Sequence, residues 1–550
     1  KRGRISGRKE RYGRKMENTF LRDAQGKPFM PIGLQAHNSS TGTALIKKAV
    51  RAVKLYGGNC LETPVYWYRI EPEMDCYDFS MVKDVIEEAR EAGLHLILLW
   101  FGTSKNGHPN YVPEYIKLQP DIYRLAQGPD GAPVPSLSVH CRETLERDKK
   151  AFGRFMEFLK EADGESRTVL AVQIENEMGY ANTDMDYSAE ARRDYEKPVP
   201  GALAGVELPD SGRELIGEGK KASAWKRQFG RHAHEAFSAW YHARYIDEVA
   251  SAGKAAYALP CFTNVMVGEQ GYEEPGLCYN AGAAVGRVLD IWKAGAPHLD
   301  FIGPDIYNQN RREYTRICRA YAREDNPLFI PESPIRGAAN AMNALLAAAD
   351  YGATGICCFG AESALDEEGN LLEECRDMAL TMRILSAMSP LLIHYRNTGC
   401  VHAFAEDEFE TSHYLKLPEY HVTAKYLRSA AMYTGYTTDT HSEAGKKKLQ
   451  VRGRALLVQT GPNEFYLCGA GVGLDFYRRP DPADESCYRH LYSRQSGQLN
   501  FLSVEEGHFE NGEWVTELVR NGDETNFSHY VLDGQLIRIR LNPNTGMSAE

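Results

Sequence analysis

Between residue 28 and about residue 389 the chain alternates short apolar runs with longer amphipathic stretches. The runs span 29–35, 59–67, 94–102, 169–177, 259–265, 301–307, 327–332 and 355–360. They are near-continuously apolar, as parallel strands covered on both faces should be. Between them, 44–56, 81–92, 145–161, 225–252, 284–294, 314–323 and 338–351 carry the apolar spacing of helices, and an eighth such segment, 373–388, follows the last run. Eight β-then-α units in succession predict an α/β fold of the closed (β/α)₈ type, the TIM barrel, rather than an open doubly wound sheet. A doubly wound nucleotide binder would carry a GxGxxG turn or a P-loop after its first strand. Neither stands there.

Two long interruptions, 103–142 and 178–224, follow the third and fourth runs. Both leave the C-terminal ends of predicted strands, the face on which barrel enzymes place their sites. The Pro and aromatic residues of 109–115 predict an ordered wall, and the polar, Pro- and Gly-broken stretch 188–220 predicts a lid. After about residue 392 the βα rhythm stops. Residues 451–459 alternate, and Asn511-Gly512, Asn521-Gly522 and Asp533-Gly534 are hairpin-type dipeptides. Segments 529–532 and 535–541 read as the arms of one hairpin, whereas 423–432 reads as helix. The expected organisation is a basic tail over 1–15, a catalytic barrel over 16–394 and a sandwich-like all-β domain over 395–550.

The composition, 43% apolar and 25% charged, is that of a soluble globular protein. No apolar run reaches the length of a membrane span, and the N-terminus lacks the layout of a secretory signal. Lys1 to Lys15 holds eight basic residues against Glu10 alone, and reads as a non-native lead ahead of Met16. Without its net charge of +7 the formal charge falls from −11 to −18, which argues against a nucleic-acid partner. Twelve cysteines show no CxxC pair, and Cys60, Cys261, Cys357 and Cys358 fall inside predicted buried strands. Reduced thiols acting as small core residues fit this usage, and with the missing signal they point to the cytoplasm.

The fourth run ends Glu175-Asn176-Glu177 and the seventh ends Pro331-Glu332-Ser333-Pro334. Two acids at strand ends on opposite sides of one barrel mouth are what a retaining glycosidase needs, since its two carboxyls stand about 5–5.5 Å apart across the glycosidic bond. Alternation gives Glu175 and Glu177 one orientation and Asn176 the other. Where the backbone leaves that pattern, Asn176 reaches the pocket too. Glu175 reads as a support for its neighbours. Tyr307, at the end of the sixth run, can donate its phenol proton to a carboxylate. His37 and Asn38 follow the first run, Glu62 and Trp67 lie on the second, and Trp100 and Asn106 lie on or just after the third. All are placed to touch a sugar. Phe359, ending the eighth, or Trp100 would serve as apolar platform. His232, His234 and His242 crowd one predicted helix, but His-x-His does not share a helical face, and no metal set converges.

These residues carry a resemblance. Asn-Glu closing the fourth strand and Glu closing the seventh resemble the defining pair of the clan A glycoside hydrolases. The phrase Val172 to Gly179 is similar to that of the family 35 β-galactosidases, with Met178 where an aromatic usually stands. Residues 31–35, 59–67 with Glu71-Pro72 and Tyr77-Asp78-Phe79, and Trp100-Phe101-Gly102 with Asn106 extend the likeness across the barrel. They point to a bacterial branch with a C-terminal β domain, and 461–476 and 509–523 resemble it more loosely. The resemblance implies Glu177 as acid/base, Glu332 as nucleophile, Asn176 as partner of the sugar 2-hydroxyl and Tyr307 as support for the nucleophile. Cys358-Phe359-Gly360 departs from the Trp many members carry there.

The expected activity is therefore retaining, exo-acting hydrolysis of β-galactosides from oligosaccharides or glycosides, without metal or organic cofactor. Other exo-specificities (β-glucosidase, β-galacturonidase) and transglycosylation remain open on the same residues, as does self-association. A silent sugar-binding protein would have lost an acid, and a barrel metallohydrolase would show His and Asp at several strand ends.

Overall fold

A computed structural model describes residues 20–543 apart from 41, 213–221, 269–273, 408–411, 429–450, 479–500 and 526–527. Eight strands form one parallel sheet: β1 (Ile32–Gln35), β2 (Cys60–Tyr66), β3 (His95–Lys105), β4 (Val169–Asn176), β5 (Cys261–Met266), β6 (Phe301–Asp305), β7 (Phe329–Ile330) and β8 (Gly355–Phe359). The hydrogen-bonded order runs from β6 through β5, β4, β3, β2, β1 and β8 to β7. The backbone N–H of Ile306 donates to the carbonyl of Glu332 (2.9 Å), drawing the two end strands together. The barrel is nearly closed, as the eight-unit pattern required.

Each strand is followed by a helix on the outside: α1 (Thr43–Leu55), α2 (Ser80–Glu91), α3 (Arg142–Asp163), α4 (Ala233–Ala256), α5 (Leu289–Gly295), α6 (Arg311–Tyr321), α7 (Ala338–Asp350) and α8 (Arg376–Tyr395). Inside the barrel, Ile97, Leu99 and Phe101 of β3 meet Ala171, Phe262, Phe301, Phe329 and Cys357. The rings of Phe262, Phe301 and Phe329 lie 4.7–5.4 Å apart. The alternate residues of β3, Leu96, Leu98 and Trp100, face outward into the layer under the helices. Apolar side chains thus fill both faces of the sheet, and the barrel is packed solid up to its C-terminal mouth.

Past α8 the chain builds two antiparallel sheets from β9 (Val401–Ala405), β10 (Ser412–Lys416), β11 (Tyr420–Tyr426), β12 (Arg454–Gly461), β13 (Glu464–Ala470), β14 (Val472–Arg478), β15 (Phe501–Glu510), β16 (Glu513–Val519), β17 (His529–Val531) and β18 (Gln535–Leu541). The six-stranded sheet has the order β9-β12-β13-β18-β15-β16, and the four-stranded one β10-β11-β14-β17. Ala455 and Leu457 enter the core between the sheets, while Leu456 and Val458 turn to the barrel's own apolar layer. One strand therefore serves two cores. Arg454 is wholly buried at this junction, donating to the carbonyl and carboxylate of Asp377 and to Thr381 on α8.

Several local expectations change. Segment 423–432 is not helical where it is described: Tyr420, Val422, Ala424 and Tyr426 recur with period two and bury one face of β11, and 429–432 lie outside the described residues. Segments 529–532 and 535–541 are not one hairpin. β17 pairs β14 while β18 lies between β13 and β15, so Asp533-Gly534 passes the chain from one sheet to the other. Asn521-Gly522 opens a short 3₁₀ turn over Gly522–Glu524. Asn511-Gly512 does form a tight hairpin between β15 and β16, with φ of 53° and 86° as a type I′ turn demands. The long helix expected over 225–252 breaks at Gly230, whose φ of 56° a side chain would resist.

The first long interruption is ordered, carrying helix Glu114–Lys117 and the antiparallel pair Leu125–Gln127 and Pro133–Leu137. Within the expected lid, helix Ala189–Tyr195 is capped by the Ser188 hydroxyl, and 213–220 lie outside the described residues. Among the described residues no helix is long and apolar enough to cross a membrane. The described cysteines are free thiols, most of them buried.

Candidate active site

The last residues of β3, β5, β6 and β8, and the segments just after β1, β4 and β7, converge on a cavity of about 500 Å³ at the C-terminal mouth. Asn38, Lys105, Asn106, Glu177, Asp305, Tyr307, Glu332 and Phe359 are among its lining residues. Carboxylate oxygens of Glu177, Asp305 and Glu332 all lie within 4.8 Å of one another. The pair read from the sequence is thus joined by a third acid.

Four donors hold Glu332. Its Oε1 accepts from Gln35 Nε2 (3.0 Å), Asn176 Nδ2 (3.2 Å) and Asn264 Nδ2 (3.4 Å), and its Oε2 accepts from the Tyr307 hydroxyl (2.7 Å). All four hydrogen-bond partners are donors, so the carboxylate is fixed in one orientation. Tyr307 is 41% exposed as a residue, but its hydroxyl is turned in against Glu332. Desolvation there, and next the charge of Glu332, push the phenol up, so it remains a proton donor at ordinary pH.

Asn176 is oriented by a residue that the sequence reading passed over. Lys105, only 6% exposed, donates through Nζ to Asn176 Oδ1 (2.6 Å) and Asn106 Oδ1 (2.7 Å). With its oxygen claimed, the Asn176 amide must present its NH₂ to Glu332. Asn264 is oriented in the same way: its Oδ1 accepts the Glu177 backbone N–H (2.9 Å), which directs Nδ2 to Asp305 Oδ2 (2.7 Å) and Glu332.

Glu175 points elsewhere. It accepts from Thr103 N (2.9 Å), Thr103 Oγ1 (2.9 Å) and Ser104 N (2.7 Å), tying the end of β3 to β4. Burial, and then the neighbouring Asp148, raise its proton affinity well above that of an ordinary carboxyl, and burial pushes Asp148 up to about 6. Gly102 makes room for this network, because a Cβ there would meet Glu175 Oε1 and Trp100 Nε1 at 2.6 Å.

The remaining candidates divide. Asn38 and Asn106 line the cavity, and Asn38 Oδ1 is buried without a hydrogen-bond partner among the described residues. Phe359 lies at the wall with its ring edge-on to His37 (5.3 Å). His37 is set one layer back, its Nε2 against the Ser363 hydroxyl at 2.6 Å.

Trp67 and Trp100 do not reach the cavity. Both are wholly buried, with indole N–H groups on Glu71 (2.8 Å) and Asp148 (2.9 Å), and they pack between the barrel and α3. Trp100 stands at an outward position of β3, so Phe359 is the platform candidate that remains. Glu62 is also absent from the wall. It faces the barrel interior in register with Gln35, wholly buried, with no nitrogen or oxygen donor to its carboxyl among the described residues and the Cys357 thiol beside it.

Asp305, Lys105, Asn264 and Gln35 were missed by the sequence reading. Their signal was a polar residue at or near the end of an apolar run (Gln35, Asn264 and Asp305) or just past one (Lys105), akin to the signal that marked Glu177. The three acids stand close enough to share a cation, and no His or Cys joins them among the described residues. His234 bonds Asp184 and His242 bonds the Ser238 carbonyl, so the helix histidines do not converge. A larger polar cavity of about 760 Å³, lined by Arg231, His232, Glu235 and Arg287, touches the acid-lined one at Val267.

The site is therefore a barrel mouth with acids at the fourth and seventh strand ends. Residues 39–204 match a family model described as β-galactosidase, glycoside hydrolase family 42, and residues 379–531 match one described as a domain of unknown function, DUF5597. A β-galactosidase of Xanthomonas manihotis is 26% identical over 190 residues, which are 32% of this chain and 28% of that protein. The chain thus spans about a quarter of the length of this curated relative.

Among solved structures, the β-galactosidase of Rahnella sp. R3 aligns with a TM-score of 0.49 at 16% identity, covering 68% of this chain and 58% of that one. The catalytic domain of β-amylase from Paenibacillus polymyxa aligns with a TM-score of 0.48 at 12% identity, covering 65% and 98%. The sequence likeness is thus to clan A at the level of family 42, not specifically to family 35.

Proposed function

We propose that the chain is a retaining, exo-acting glycoside hydrolase, and that its sugar is terminal β-galactose. The observation that carries this reading is the approach of Glu177 and Glu332 to within 4.8 Å at strands β4 and β7. That spacing leaves room for a sugar's anomeric centre but not for a water held between the acids, and so favours double displacement over inversion.

Glu332, held by its four donors, attacks the anomeric carbon while Glu177 gives its proton to the leaving oxygen. A covalent glycosyl ester forms and the alcohol departs. Glu177, now a carboxylate, takes a proton from water as that water attacks the ester, and Glu332 is released. An alcohol replacing water would make the same site a transglycosylase. Asn176 meets the sugar 2-hydroxyl, Asn38 and Asn106 serve further hydroxyls, and Phe359 supplies the apolar wall.

Galactose is favoured by the β-galactosidase family match over residues 39–204. A uronic acid is disfavoured by charge: Lys105 faces three acids across the cavity, and its Nζ is already committed to two asparagines. The free buried thiols suit a reducing compartment. A panel of nitrophenyl β-glycosides read by absorbance, with proton NMR of the first-formed sugar, tests the whole reading. The β-galactoside should turn over fastest and release β-galactose first. A first-formed α-anomer would overturn double displacement, and a preference for another sugar would overturn the specificity.

A further inference from the structure

The proposed mechanism leaves one buried acid of the cavity without work. Asp305 closes β6 and is 2% exposed. Its Oδ2 accepts from Asn264 Nδ2 at 2.7 Å, and that amide cannot turn over because its oxygen already accepts the Glu177 backbone N–H. Its Oδ1 is buried and meets no donor among the described residues. Carboxyl oxygens of Asp305 and Glu177 lie within 4.8 Å of each other, and Oδ2 is the oxygen that Asn264 already occupies, which leaves Oδ1 to meet Glu177. Glu332 makes no demand on Asp305, since Gln35, Asn176, Asn264 and Tyr307 already donate to it. Two carboxyl oxygens cannot rest against each other with no proton between them.

We infer that Asp305 is a protonated positioning residue whose Oδ1–H donates to the carboxyl of Glu177. The inference rests on the glycosidase reading only for its consequence, not for the proton itself. The charged or titratable groups facing Asp305 are Glu177 from β4, Glu332 from beyond β7, Lys105 from β3 and Tyr307 from its own strand's end. Burial, then Glu332, then Glu177 raise the proton affinity of Asp305 well above that of an ordinary aspartate, and Lys105 opposes them.

The consequence is differential. In the resting site a neutral Asp305 donates to a neutral Glu177. As the Glu177 proton passes to the leaving oxygen, the acceptor gains negative charge, and a hydrogen bond to an ionised oxygen is roughly twice as strong as a neutral one. Only interactions that strengthen on the way to the transition state raise the rate of the chemical step. The proton count closes: the pair holds two protons, one leaves with the alcohol, and Asp305 keeps the other. The attacking water then returns one to Glu177.

The test compares Asp305→Asn with Asp305→Ala in the full chain. Asn keeps an acceptor for Asn264 and turns an N–H to Glu177, so it should stay within about tenfold of the parent. Ala removes the donor and should lose about 100-fold or more on galactosides with poor leaving groups, and far less on activated aryl galactosides. The alkaline limb of kcat/KM against pH should move upward in Ala, where the Glu177 carboxylate has lost its donor, and stay in place in Asn.

Equal damage from both variants, or an alkaline limb unmoved by Ala, would overturn the inference. Infrared difference spectra of the parent against Asp305→Asn need no substrate. They should show a protonated carboxyl band at neutral pH that the Asn variant lacks, and its absence would also overturn the inference. A chain that hydrolyses no glycoside yet shows this band would instead remove the glycosidase reading alone.

Discussion

Lys105→Met isolates the residue that orients Asn176. Met keeps the length of the side chain and its apolar contact over Phe101, where Nζ now stands 5.4 Å from the ring centre. It removes two short hydrogen bonds from a cation, to Asn176 Oδ1 (2.6 Å) and Asn106 Oδ1 (2.7 Å). Hydrogen bonds to charged groups contribute about 1.5–3 kcal/mol each. Only the bond to Asn176 lies on the path to the sugar 2-hydroxyl, so the loss expected in kcat/KM is about 10- to 150-fold at roughly 1.4 kcal/mol per tenfold.

The assay pairs an aryl β-galactoside with its 2-deoxy counterpart, which cannot use Asn176. The penalty should fall on the galactoside and largely vanish on the 2-deoxy substrate, with thermal unfolding of the variant close to the parent. Equal penalties on both substrates would refute an orienting role exerted through the 2-hydroxyl and leave Lys105 acting through Glu332 or through its charge.

Three further outcomes are expected. Glu332→Gln should fold and bind galactose but lose several orders of magnitude in turnover, because the amide is a far poorer nucleophile. A 2-deoxy-2-fluoro galactosyl fluoride should leave its adduct on the peptide 327–336 of the parent, and an adduct elsewhere moves the nucleophile. Glu177→Ala should lose most on poor leaving groups and be rescued by azide with a β-galactosyl azide product; equal losses on all leaving groups would shift the acid role. Glu62, wholly buried with no nitrogen or oxygen donor among the described residues, has its proton affinity raised well above the usual range by burial and then by Glu332, with the Cys357 thiol opposing them. Its folded-state value lies above its unfolded one, so in the window between them the unfolded chain binds fewer protons and stability falls as pH rises. Glu62→Gln should therefore flatten the fall in melting temperature as pH rises above the ordinary glutamate range, and an unchanged slope would count against a buried neutral acid.

The barrel was legible because fully covered strands leave a periodic record of apolar runs, and the two main acids because a charged residue at the end of such a run is costly unless it is used. The same signal stood at Asp305, two residues before Tyr307, and at Lys105, one before Asn106. It was masked by neighbours that matched a familiar pattern. The two tryptophans show what size alone conceals. Along β3 alternation sends Leu96, Leu98 and Trp100 outward and Ile97, Leu99 and Phe101 inward, so parity, not ring area, decides which aromatic faces the barrel interior. The C-terminal region was legible as β structure but not as topology. Asp533-Gly534 has the chemistry of a hairpin turn, and only the long-range pairing of β17 with β14 shows that the chain changes sheets there.

Strict alternation also fails where the site is made. Glu175 and Glu177 take φ of 60° and 48°, on either side of Asn176. Left-handed backbone at a residue with a Cβ costs on the order of 1–3 kcal/mol, and β4 carries it twice at its end. The two turns give three successive side chains three separate directions: Glu175 to the end of β3, Asn176 to Glu332, and Glu177 to the cavity. Thr103 and Ser104 supply three hydrogen bonds to Glu175, and Asn264 and Asn280 hold the backbone N–H and carbonyl of Glu177. At about 1 kcal/mol for each of these bonds, they are enough to hold a conformation that the strand alone would not adopt. The residues that brace the strained end of β4 also place Lys105 and Asp305 beside it: Glu175 anchors the strand that delivers Lys105, and Asn264 bonds Asp305 directly. Glu177, the Asn176 that holds Glu332, and the neighbours Lys105 and Asp305 are therefore placed by one local departure from the pleat.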